Sequence, residues 1–66
     1  MSLKEFPGFY ATQRRYMKYN GDEYLLDVIS QDGFKVIATQ LSTGRIEQGY
    51  HRLSEADAVM DAVWKF

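Results

Sequence analysis

Sixty-six residues with no cysteine, one histidine and one proline leave little room for reactive chemistry. The cysteine count excludes disulfides, thiolate zinc sites, iron–sulfur clusters and thiol nucleophiles, a lone histidine cannot by itself supply a transition-metal site, and no cofactor is indicated. Eight Lys and Arg against nine Asp and Glu give a net charge of −1, which is not the footprint of a dedicated nucleic-acid binder, and the 45% hydrophobic content describes one small globular domain over residues 1–66.

Residues 1–11 place Leu3, Phe6, Phe9 and Tyr10 around Pro7-Gly8 and read as an N-terminal arm or loop with apolar anchors. No run approaches the ~20 apolar residues of a membrane span, and the N-terminus lacks a signal-peptide core, so a cytoplasmic protein without a membrane partner is expected. Charge is unevenly spread: residues 1–19 are net positive through Lys4, Arg14, Arg15 and Lys18, whereas residues 20–44 are net negative through Asp22, Glu23, Asp27 and Asp32. Opposite charges on adjacent segments are expected of strands that pair.

Three turn signals divide the middle of the chain: Asn20-Gly21, Asp32-Gly33 and Ser42-Thr43-Gly44. The first two are two-residue loops of the kind whose central positions need positive φ, and the third is a three-residue form with Gly in the left-handed position. Between them, residues 12–19, 22–31, 34–41 and 45–51 are rich in Tyr, Val, Ile and Thr and predict an antiparallel meander of three or four strands spanning 12–51. A helix over 54–66 is predicted next. Ser54 is its N-cap, Glu55 and Asp57 are acidic residues in its first turn, and Ala56, Val59, Met60, Val63 and Trp64 recur at helical spacing as its apolar stripe. The fold class is therefore α+β, with the helix packed on one sheet face.

Turn geometry predicts register. A two-residue loop at Asn20-Gly21 pairs Lys18 with Glu23 and Arg14 with Asp27, and one at Asp32-Gly33 pairs Ile29 with Val36 and Leu26 with Thr39. One face then displays Tyr16, Leu25, Ile29, Phe34, Val36, Ala38, Ile46 and Tyr50. The other displays Met17, Tyr24, Leu26, Val28, Ile37 and Leu41, rimmed by Gln13, Arg15, Lys35, Thr39, Arg45, Glu47 and His51. The helix is expected on the first of these, where aliphatic content is larger. That leaves Tyr24, Leu26, Val28, Ile37 and Leu41 as the apolar centre of the other face, with Arg15 and Arg45 at its rim, to be covered either by the N-terminal arm through Phe6 and Phe9 or by a second copy of the chain or another partner.

This open face carries the functional expectation: a non-catalytic intracellular interaction module that binds a protein partner or itself as a homodimer. A chain of this size without a motif is consistent with a bacterial or phage accessory protein. The alternative is a nucleic-acid-binding module using Arg15, Lys35, Arg45 and Tyr19, since the run from Gln13 to Tyr19 interleaves basic and aromatic residues suited to phosphate contacts and base stacking. In element order, an antiparallel sheet followed by a helix opening Gly49-Tyr50-His51-Arg52-Leu53-Ser54-Glu55-Ala56 resembles the small arm-binding domains of tyrosine recombinases. Those domains are basic and this chain is acidic, so no residue is carried over from them. Catalysis is not expected. His51 is the one acid–base candidate and has no evident partners, no nucleophile motif surrounds Ser30, Ser42 or Ser54, and no phosphate loop or small-molecule substrate is evident.

Overall fold

A computed structural model describes residues 12–66; the expected arm at 1–11 lies outside the described residues. Four strands and one helix follow in chain order: β1 (Thr12–Tyr19), β2 (Asp22–Ser30), β3 (Phe34–Gln40), β4 (Ile46–His51) and α1 (Glu55–Val63). The sheet is an antiparallel meander in the order β1-β2-β3-β4, with α1 packed on β3 and β4. This is the expected α+β architecture, with four strands.

The β1–β2 hairpin has the register that its turn chemistry dictates. Asn20 (φ 50) and Gly21 (φ 83) both take positive φ, the combination a two-residue loop needs to match strand twist. Tyr19 pairs with Asp22, and the ladder continues through Lys18↔Glu23 and Arg14↔Asp27 to Thr12↔Ile29.

The β2–β3 register differs from expectation by one residue. Ser30 pairs with Phe34, so the loop holds three residues, Gln31, Asp32 and Gly33, closed by donation from the Gln31 N–H to the Gly33 carbonyl. Because side chains alternate with a period of two, this shift turns all of β3 over. Val36 and Ala38 now stand beside Val28 and Leu26, and Lys35, Ile37 and Thr39 move to the opposite face. The β3–β4 loop is also longer than expected, running through residues 41–44, with Gly44 at φ 76 as its left-handed residue and Gln40 bonded to Arg45 across it.

These changes select the face that α1 covers. The helix lies on the side of Tyr24, Leu26 and Val28, not on the expected side of Tyr16, Leu25 and Ile29. Its Ala58, Val59, Ala62 and Val63 are buried with Tyr24, Leu26, Val28, Val36 and Ala38 in one all-apolar core. The reason is steric. A Cβ on Gly49 would come within 3.0 Å of backbone atoms of Ala58 and Ala62, so the helix backbone rests directly on β4 at this glycine. Small residues on both sides allow that approach, and bulky Ile46 and Tyr50 on the opposite face do not. The same contact rotates the buried stripe of α1 from the expected one: Ala58 and Ala62 face the sheet, whereas Ala56 and Trp64 are exposed.

Only three residues separate β4 from α1, so the chain must reverse sharply at the helix start. Ser54 is the N-cap, in extended conformation, and its Oγ accepts from the Asp57 N–H at 3.2 Å. Asp57 is too short to complete a reciprocal capping box. His51 takes over that role: its Nδ1 accepts from the N–H groups of both Leu53 and Ser54 at 3.1 Å, while Nε2 faces Asp57 at 3.7 Å. Replacing Ser54 by Ala should lower the unfolding free energy by about 1 kcal/mol, and Ser54→Asp should restore most of it, both read as urea midpoints.

Candidate interaction surfaces

The residues expected to form an open patch are not brought together. Tyr24, Leu26 and Val28 are 3%, 2% and 1% exposed beneath α1 and belong to the core. Ile37 lies on the opposite face of the sheet, because β3 is turned over by its register. Leu41 is exposed in the β3–β4 turn, its N–H donating to the Glu23 carbonyl. Arg15 and Arg45 remain on the helix side, where internal contacts occupy them. Arg15 Nε pairs with Glu55 at 2.8 Å and its Nη2 donates to Gln13, whereas Arg45 Nη2 bonds Glu47 and the Lys65 carbonyl.

The same geometry divides the basic set of the nucleic-acid alternative. Arg15, Arg45 and Tyr19 share the helix side, and Lys35 projects from the other. No single face therefore gathers the four residues.

Among the described residues nothing covers the face opposite α1. Tyr16, Leu25, Thr39 and Ile46 are successive register partners and form a row across all four strands. Ile37 lies one row away, between Asp27 and Gln48, and Ile29 one row further, in the row that ends at Tyr50. Tyr16, Ile46 and Tyr50 are each more than half exposed, at 58%, 58% and 52%. Leu25, Ile29 and Ile37 are part-buried between them. Apolar side chains interspersed with the paired Asp27 and with Lys35 make this face a candidate association surface. Strand alternation groups Tyr16, Leu25, Ile29, Ile46 and Tyr50 on one face, as the structure does, but α1 lies on the other face and not on the expected one. Ala38, Gly49, Ala58 and Ala62 are the sequence signal that marks the true contact.

Charges on this face largely satisfy one another. Arg14 Nε pairs with Asp27 at 3.0 Å across the β1–β2 ladder, and the hydrogen bond, then the charge attraction, raises the Arg14 pKa further. The Tyr16 hydroxyl donates to Glu23, which raises the phenol pKa above its ordinary value. Both contacts anchor long side chains flat along the sheet without leaving an isolated carboxylate.

The Ser54, His51 and Asp57 cluster holds the residue types of a nucleophile triad in a different arrangement. The His51 Nδ1 lone pair accepts two backbone N–H groups and the Ser54 Oγ accepts a third, so neither is directed at the other. It is a structural cap. Among the described residues no group of three or more metal-ligating side chains comes together, and no helix is long and apolar enough to cross a membrane. Compared with known proteins, the chain matches no family model, no curated protein and no solved structure.

Proposed function

We propose that the protein is a non-catalytic interaction module that associates with a second copy of itself through the sheet face opposite α1. The observation that carries this reading is the row Tyr16, Leu25, Thr39 and Ile46, which no other described residue covers, with Ile29, Ile37 and Tyr50 beside it. A second copy is favoured as occupant by the charge balance of the face. Arg14, Lys18 and Lys35 stand against Glu23 and Asp27, so the surface has both signs and little net charge to repel its own copy. A strongly charged partner would call for a face of one sign.

Sedimentation equilibrium across a wide concentration range tests this directly. The wild-type chain should self-associate at both low and high salt, since apolar burial and not charge drives the contact. Ile37→Glu should abolish the association while leaving the far-ultraviolet circular dichroism unchanged. A wild-type chain that stays monomeric at every concentration would overturn the reading, as would a dimer that persists in the folded variant.

A further inference from the structure

We infer that the helix side carries a binding site for methylated ammonium groups, such as a quaternary ammonium on a small molecule or a methylated lysine side chain. A cavity of about 300 Å³ lies between the β1–β2 turn and the C-terminal end of α1, and four of its wall residues are aromatic: Tyr19, Tyr24, Trp64 and Phe66. Its size is at the lower end for ligand pockets and suits a compact head group. This site is separate from the open sheet face and does not rest on its proposed association.

Two features define the chemical class. First, the walls are rings whose faces carry negative electrostatic potential, and one of them already attracts a cation: the Arg45 guanidinium lies over the Phe66 ring at 5.5 Å. Tyr24 and Phe66 pack against each other with centroids 5.1 Å apart and planes tilted by 58°, so the buried Tyr24 ring backs Phe66 and fixes its orientation in the cavity wall. Second, the described residues that line the cavity include the acidic Asp22 and no basic side chain, and the neighbouring Arg45 guanidinium is held by Glu47 and the Lys65 carbonyl. Among the described residues Asp22 makes no ion pair.

An apolar ligand alone would leave Asp22 unanswered, whereas a methylated ammonium presents both apolar methyl groups and positive charge. Trp64 completes the arrangement. It is 71% exposed at the helix C-cap, a position that contributes little to the core and leaves its ring at the mouth of the cavity.

The test is an amide NMR titration with choline and, in parallel, with neohexanol, its uncharged carbon isostere. Choline should shift the side-chain amides of Asn20 and Gln40, which line the cavity, and the Trp64 indole, all along one saturable curve. Neohexanol should bind at least about tenfold more weakly, because it keeps the shape and loses the charge. Trp64→Leu and Asp22→Asn, both at exposed or turn-adjacent positions, should keep the wild-type amide pattern and each weaken choline by about three- to tenfold. The site would be overturned if choline gave no saturable shift, if neohexanol bound as tightly, or if folded Trp64→Leu bound choline unchanged.

Discussion

Gly49→Ala should destabilise the domain by about 3 kcal/mol or more, although it adds a single methyl group. The new Cβ would lie within 3.0 Å of the Ala58 carbonyl oxygen and of the Ala62 nitrogen and Cα, all backbone atoms that cannot rotate aside. The helix must lift from the sheet, and its lift removes Ala58 and Ala62 from Val36 and Ala38 at the centre of the core. Losing a glycine usually stabilises by roughly 0.4–1 kcal/mol through the unfolded chain, an effect too small to offset that clash. Gly44→Ala separates the two causes. Nothing lies within 4 Å of its would-be Cβ, but φ is +76, so it should cost about 1 kcal/mol through backbone strain alone. Urea unfolding followed by circular dichroism measures both, and a Gly49→Ala midpoint equal to wild type would refute the direct helix–sheet contact.

Leu26→Glu and Ile37→Glu should have opposite consequences even though both replace an aliphatic strand residue by a carboxylate. Leu26 is 2% exposed beneath α1, with no polar group in the surrounding core to receive a charge. Burying an unpaired carboxylate there costs several kcal/mol. Total stability for a domain of this size is about 3–10 kcal/mol, so Leu26→Glu is expected to leave the chain largely unfolded. Ile37 lies on the uncovered face, where the new carboxylate remains hydrated, and its variant should fold with a loss of about 1 kcal/mol or less. Thermal melts of the two proteins decide the matter. A folded Leu26→Glu variant beside an unfolded Ile37→Glu variant would mean that α1 covers the other face.

Function follows from the same division of the sheet. The face that the helix leaves uncovered has the composition of an association surface, and the proposed self-association depends on Tyr16, Leu25, Ile37 and Ile46 instead of the buried Tyr24, Leu26 and Val28. The two proposals occupy opposite sides of the molecule. A variant on the open face can therefore remove association while leaving the ammonium cavity intact, and Trp64→Leu can do the reverse.

Local chemistry was legible in the residues themselves. Asn20-Gly21 determined a two-residue turn and with it the whole β1–β2 register, because only residues that tolerate positive φ can make that connection. Ser54 marked the helix start for an equally local reason, since its side chain reaches the N–H three residues on. The element order, the strand count and the C-terminal helix followed from such signals.

What the residues did not reveal was decided by contacts between distant segments. Asp32-Gly33 is compatible with a two- or a three-residue loop, and the choice turns β3 over. Packing settles it by placing Val36 and Ala38 under α1, next to Leu26 and Val28, with Ile37 outside. The face covered by α1 was beyond local reading too, because aliphatic content favoured the wrong side. Close approach of two backbones rewards small residues, and Gly49 meets Ala58 and Ala62 only when strand and helix are assembled. The aromatic cavity has the same origin: Tyr19 and Tyr24 belong to the first hairpin and Trp64 and Phe66 to the end of the chain, and tertiary packing alone makes them neighbours.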